Sequence, residues 1–157
     1  MKVTLLVIGK TDEAYLKEGI DIYSRRLAYY TDFKLEVIPD IKKSGKIKPG
    51  MQKLLEGEKI LSKKGPGKEL HLFDERGKTY SSRQFAAFLE KKMLSGPKEL
   101  IFVIGGPYGF TDSVKDEAAS KISLSRMTFS HQLARLLCIE QIYRAFTIIK
   151  GDPYHND

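Results

Sequence analysis

Five short apolar stretches recur along the chain, at Lys2–Ile8, Phe33–Ile38, Glu69–Phe73, Glu99–Ile104 and Ile122–Leu124. Runs this rich in Val, Ile, Leu and Phe predict strands buried on both faces of a sheet. Between them the apolar positions fall at helical spacing. Asp12 to Tyr30 predicts a helix with Thr11 as N-cap and Ala14, Leu16, Ile20, Tyr23 and Leu27 on one face. Met51 to Lys64 predicts a basic amphipathic helix with Leu54, Leu55, Ile60 and Leu61 inward. Ser81 to Met93 predicts a third helix capped by Ser81 or Ser82, and Thr111 to Ala119 a short fourth. The longest, His131 to Ile149, carries a wide stripe from Leu133 to Phe146. "DIKKSGKIKPG" reads as an exposed loop, "DERGK" (Asp74 to Lys78) as a turn, and "SRMTFS" as a loop or irregular strand.

Alternating strands and helices predict an α/β fold: a mostly parallel sheet with helices on both faces. Its length predicts one domain, 1–157. Ligands of such sheets bind beyond the carboxyl ends of the strands. That rule selects three places, after Phe73, after Ile104 and after Leu124.

Composition narrows the chemistry. Apolar residues make up 41% of the chain, enough for a core without staples. A lone cysteine, Cys138, sits in the stripe of the long helix and reads as core. One thiol builds neither a disulfide framework nor a thiolate metal site, which suits a reducing, cytoplasmic setting. The apolar run at the N-terminus is too short for a signal h-region or a membrane span. Net charge is +7, and it is concentrated: Lys42 to Lys68 holds nine lysines against two glutamates. The rest of the chain balances 18 basic against 18 acidic residues. Such a patch is either a solvated face or a seat for a polyanion, and the clustering favours nucleic acid.

After the fourth strand comes "VIGGPYGF", with Gly105, Gly106 and Gly109. It lacks the G-x-G-x-x-G dinucleotide fingerprint and the G-K-[ST] of a phosphate loop. Glycine there permits positive φ and lets a flat ligand lie against backbone, or it simply makes a tight turn. His71 lies inside a strand and reads as structural, His131 as a helix-start cap, and His155 lies in the tail. Their spacing matches no metal motif, and no metal is expected. No nucleophile arrangement of serine or cysteine with histidine is evident. What remains is transfer chemistry in which a cofactor carries the reactive group.

"IGGPYGF", "SLSRMTFSHQLARLLCIEQIYRAFTII" and the terminal "DPYHND" together resemble the ribosomal RNA large subunit methyltransferase H family along nearly the whole chain. These are 23S rRNA pseudouridine-N3 methyltransferases of the SPOUT superfamily. The start "MKVTLLVIGK" and the segments "SRR" and "DERGK" also fit. The resemblance implies a trefoil knot near the C-terminus, a homodimer, and S-adenosylmethionine as methyl donor. It implies cofactor contacts at Phe73, Gly105, Leu124, Ser125, Arg126, Met127, Thr128 and Phe129. Phe73 stands where the family often has leucine. On this expectation Gly105 and Gly106 give close backbone approach, and Gly105→Val loses the cofactor while the fold survives.

For the reaction itself, His155 is a candidate proton acceptor and Tyr154 a stacking surface for the base. Arg135 and Arg144 are candidates to bind phosphate or developing negative charge, or else form structural pairs on the long helix. The tail, Gly151 to Asp157, is too polar to hold itself in place and is expected to close over the pocket of a partner subunit. The ribosome or 23S rRNA is the expected partner. The alternatives are an RNA-binding factor without catalysis and a SPOUT enzyme acting on tRNA.

Overall fold

The computed structural model describes residues 1–41 and 47–157. Among them five parallel strands form one sheet in the order β2-β1-β4-β3-β5. The strands are β1 (Lys2–Ile8), β2 (Asp32–Ile38), β3 (Lys68–Thr79), β4 (Glu99–Ile104) and β5 (Ser120–Ser123). Helices α1 (Ala14–Ala28), α3 (Ser82–Ser95) and α5 (His131–Lys150) cover one face. Helices α2 (Pro49–Leu61) and α4 (Asp112–Glu117) cover the other. The expected α/β architecture is therefore present.

The two-residue period of the strands divides the core. Val3, Leu5 and Val7 of β1, with Leu100, Phe102 and Ile104 of β4, pack under α1, α3 and α5. Leu6, Ile101 and Val103 point the other way, toward Ile60 of α2 and Val114 of α4. Each fully buried side chain of this kind contributes about 1.5–3 kcal/mol. Cys138 is wholly buried in the first cluster, and burial pushes its thiol well up. His71 is equally buried. Its Nδ1 meets Ser120 Oγ at 2.7 Å and its Nε2 meets Glu69 Oε2 at 3.0 Å. Burial lowers its pKa to about 4, so it is a neutral clasp between β3 and β5.

Several expected boundaries shift, each for a visible reason. "DERGK" is not a turn. β3 continues through it to Thr79, with a register break between Phe73 and Lys78 against β5. Gly77 makes this possible, because a Cβ there would lie 2.6 Å from the backbone of Lys121 and Ile122. The fifth strand is accordingly earlier than expected, ending at Ser123. Thr11 does not cap α1; its Oγ1 accepts from Arg135 at 3.1 Å, and the helix starts at Ala14. The inward face of α2 is also different. Gln52, Glu56, Gly57 and Ile60 are buried, while Met51 and Leu54 are about half exposed.

Caps fix the ends of the helices that border the site. Ser81 and Gln84 form a reciprocal capping box at the start of α3. Ser130 caps α5 by accepting from Leu133 N. Gly151, at φ 76°, closes α5, and Asp152 N donates back to Thr147 O. This end turns the chain back along its own helix. No helix among the described residues is long and apolar enough to cross a membrane.

Candidate active site

The three strand ends selected by the sheet rule converge on one cavity of about 570 Å³. Phe73 and Asp74 come from β3, Ile104 to Phe110 from the end of β4 and the loop after it, and Ser123 to Ser125 with Met127 to Phe129 from the end of β5 and the loop after it. His131 and Ala134 close it at the start of α5. Ser123 Oγ donates to Ser125 O, and Met127 N donates to Ser125 Oγ. These bonds hold the last loop in a serine turn against the cavity. Three basic residues, Lys53, Arg76 and Lys115, share its charged rim with two acidic ones, Asp74 and Glu75.

Protein groups, as well as any ligand, need the bare backbone of the glycine loop. A Cβ on Gly105 would lie 2.9 Å from the ring of Phe110, a buried core residue. A Cβ on Gly106 would lie 2.4 Å from Glu56 Oε1 and 2.6 Å from Oε2. A side chain at Gly105 would therefore crowd Phe110 as well as any ligand, a contact the sequence reading of Gly105→Val did not include. Glu56 is 2% exposed and accepts from Gln52 Nε2 at 3.1 Å. Burial, with Asp40 nearby, raises its pKa, against the opposing effects of the Gln52 hydrogen bond and His131. A buried carboxyl thus braces the turn of the glycine loop from beneath.

Folded back against the middle of α5, the tail forms a second polar assembly. Arg144 donates to Glu140 Oε1 through Nε and NH2, at 3.1 and 2.6 Å. Its NH1 meets His155 Nδ1 at 3.1 Å, and its guanidinium lies 4.7 Å above the Tyr154 ring. His155 Nε2 meets Asp157 Oδ1 at 2.9 Å, and Asp157 in turn accepts from Arg83 Nε. A guanidinium can only donate, so Nδ1 accepts and the imidazole proton sits on Nε2, given to Asp157. Both ring nitrogens are engaged. Tyr154 packs at 4.8 Å on Tyr143, and its hydroxyl donates to Glu140 at 3.0 Å. Burial, then hydrogen bonds to Tyr23 and Glu140, push its pKa well up. Tyr30 donates to Asp152 at 2.5 Å, a bond that raises its pKa to about 12. Contrary to expectation, the tail holds itself in place, through tyrosine packing and ion pairs instead of an apolar face.

The family model described as "Predicted SPOUT methyltransferase" matches residues 1–155. The chain belongs to the SPOUT methyltransferase family. It is 54% identical over 157 residues to the ribosomal RNA large subunit methyltransferase H of Parabacteroides distasonis, with both chains covered completely. It is 53% identical to the protein of that name from Flavobacterium johnsoniae, over 99% of each chain. Among solved structures, the A. aeolicus TrmH/SpoU tRNA modifying enzyme aligns with a TM-score of 0.51 at 14% identity. That alignment covers 99% of this chain and 81% of the other, and it supports the fold alone.

In this SPOUT chain the structure brings together Phe73, Gly105, Leu124, Ser125, Met127, Thr128 and Phe129 at the cavity. Arg126 is exposed and outside its wall. Arg144, Tyr154 and His155 meet at the tail cluster instead. Arg135 joins neither group. It is 2% exposed and donates to Gly9 O at 2.9 Å and Ile8 O at 2.6 Å, capping the carboxyl end of β1. It is a structural residue with no free face for phosphate. Of the lysine patch, Lys42, Lys43 and Lys46 lie outside the described residues. Sequence reasoning missed His131, Asp74 and Lys53 as cavity residues and Glu56 as its brace. For His131 the signal was available: a helix beginning at the carboxyl edge of a parallel sheet begins at the ligand site.

Proposed function

We propose that this chain methylates N3 of a pseudouridine in 23S rRNA of the large ribosomal subunit, with S-adenosylmethionine as donor, acting as a cytoplasmic homodimer with a knotted C-terminal region. One observation carries the reading. Seven of the eight residues that the resemblance marks for the cofactor fall on a single cavity, in a chain half identical, end to end, to proteins named for this reaction class.

The cavity suits the donor. Its volume lies within the range of small-molecule sites, and its lining mixes apolar side chains with bare loop backbone. Phe73, Leu124 and Phe129 would hold the flat adenosine part, and the Gly105–Gly106 and Ser125–Thr128 backbones would supply hydrogen bonds. The bound donor supplies an electrophilic methyl on a positive sulfonium. Lys53, Arg76 and Lys115 on the cavity wall suit RNA phosphate.

The tail supports a two-subunit site. Helix α5 carries the cavity at His131, and the tail folds back to place Tyr154 and His155 on its Glu140 and Arg144. At the helical rise these lie about 14–20 Å along the helix from His131. A tail so placed serves the cavity of a second copy, where Tyr154 stacks on the target base and Arg144 meets negative charge developing on it. His155, with both nitrogens engaged, orients Arg144 and the tail.

Transfer of labelled methyl from S-adenosylmethionine to purified ribosomes, free rRNA and tRNA, with subsequent nucleoside analysis, tests the reading. Label in N3-methylated pseudouridine of large-subunit RNA is the expected result. Absence of saturable cofactor binding would point to a non-catalytic RNA-binding protein, and label in tRNA to the other SPOUT substrate class.

A further inference from the structure

N3 of pseudouridine bears a proton that must leave as the methyl arrives, and the tail histidine has no free lone pair to take it. The cavity wall offers another acceptor. Asp74 lines the cavity beside Phe73, at the point where β3 leaves its regular register with β5. A bulge at this position re-aims side chains, a recurrent device beside active sites. It depends on Gly77, whose missing Cβ lets β3 lie against the backbone of Lys121 and Ile122. A sequence that reads as a turn is thus held as a distorted strand, and the distorted stretch begins at the carboxylate on the cavity wall.

The carboxylate is also oriented. Asp74 Oδ1 accepts from Arg76 N at 3.0 Å, the single hydrogen bond it makes among the described residues. Its other oxygen is left over. Asp74 is half-buried, whereas Glu75, the next acidic residue of the wall, is exposed. A fixed carboxylate with one oxygen spent and one free, next to the cofactor wall, is the arrangement expected of a general base.

We infer that Asp74 is the proton acceptor of the methyl transfer, an assignment that rests on the proposed N3-methylation. The N3–H bond breaks as its proton passes to Asp74 Oδ2. The freed N3 lone pair bonds the donor methyl, and the electron pair of the donor's carbon–sulfur bond returns to sulfur, leaving a neutral thioether. Asp74 then releases its proton to solvent. Charge balances at each point, since the incipient N3 anion meets a sulfonium cation.

The test compares wild type with Asp74→Asn, which keeps an acceptor oxygen for Arg76 N, and with Asp74→Glu, which keeps a base. Cofactor affinity is read by calorimetry, and single-turnover methylation of ribosomes is measured from neutral to alkaline pH. Asp74→Asn should lose roughly a hundredfold in rate near neutrality, as removal of a general base does. It should bind the cofactor within about twofold of wild type, since the wall keeps its shape. Its rate should climb toward the wild-type value at alkaline pH, where the substrate imide ionises unaided. Asp74→Glu should recover part of the rate. Should Asp74→Asn not fold, Asp74→Ser serves the same comparison. A wild-type rate in Asp74→Asn, a loss that tracks cofactor affinity, a loss that persists at alkaline pH, or a loss seen with Glu75→Gln in its place would each overturn the assignment. Failure of the wild-type enzyme to label large-subunit RNA would instead overturn the proposed function, which separates the two.

Discussion

The cavity at the start of helix α5 and the tail cluster at its end, folded back on Glu140 and Arg144, are built on opposite plans. At its start the cavity is made of loop backbone, with glycines kept bare and a buried carboxyl as brace. At its end Tyr154, His155, Arg144 and Asp157 are saturated with partners on their own chain. The first is shaped to receive a molecule. The second presents a finished surface, pre-ordered before anything meets it. On the proposed reading the cavity lacks the aromatic surface of Tyr154 placed for the base, and the polar cluster lacks a cavity, so each is incomplete as a catalyst. On the reading proposed above the two are joined across subunits, since within one chain the cluster lies about 14–20 Å along α5 from the start of the helix.

Removing the second region should have the greatest consequence. Deleting Asp152 to Asp157 takes away Tyr154 and His155 but leaves the core and the cavity intact. The expected outcome is a folded protein that binds S-adenosylmethionine nearly as wild type, while single-turnover methylation of ribosomes falls roughly a hundredfold, as for lost positioning at a reacting centre. A wild-type rate would confine catalysis to the cavity.

The converse change strikes the first region. Gly106→Ala places a methyl 2.4 Å from Glu56 Oε1. Overpacking of this kind costs about 1–3 kcal/mol, and cofactor affinity should fall roughly tenfold. Shortening the brace in the double variant Gly106→Ala, Glu56→Ala should restore part of it. Calorimetric titration of the single and double variants reads this coupling. Additive losses would show that Glu56 does not brace the loop.

Smaller effects are expected at the rim. Reversing Lys53 and Lys115 to Glu should weaken ribosome binding and lower its logarithmic salt slope by roughly one per lysine lost. Cofactor affinity should stay near wild type, because neither charge belongs to the adenosine wall proposed here. An unchanged salt slope would make the rim a solvated face.

The slightest effect is on the tail's own stability. The folded pKa of Tyr30 is raised to about 12 by its bond to Asp152, and that of Tyr154 is raised by burial and by hydrogen bonds to Tyr23 and Glu140. A raised tyrosine pKa gives stability that is complete below the ordinary value, about 10, and lost as pH climbs through the folded value. Tail docking should therefore hold to about pH 10 and fail toward about 12. Tyrosinate absorbance of wild type against Tyr30→Phe would report it, and coincident curves would show that the Tyr30–Asp152 clasp contributes nothing.

Much of this was legible in the residues. β1 and β4 are continuous apolar runs, and the stripe of α5 ends in Gly151 before a proline, so the central strands and the long helix fall where they were read. The sheet rule then located the cavity. Three features escaped for physical reasons. "DERGK" has the composition of a turn, and only the contact of Gly77 with the backbone of β5 reveals a strand. Gln52 and Glu56 are polar, so hydropathy placed Ile60 and Leu61 inward but missed these two; Glu56 lies against the bare backbone of Gly106, far along the chain. The tail looked too polar to order itself because its anchors, Tyr30, Arg83, Glu140 and Tyr143, lie on three different helices or their ends. Side-chain networks of this kind have no periodicity to read.

Everything proposed for the tail depends on one active site taking its cavity from one subunit and its tail from another. Mixed dimers put that arrangement to the test. One subunit carries Gly106→Asp, which disables the cavity, and the other lacks Asp152 to Asp157. Each variant alone should be nearly inactive in ribosome methylation. Co-expressed and purified as the heterodimer, they should regain about half the wild-type rate, because one wild-type cavity then faces one wild-type tail. A heterodimer no more active than either parent would contradict the shared site.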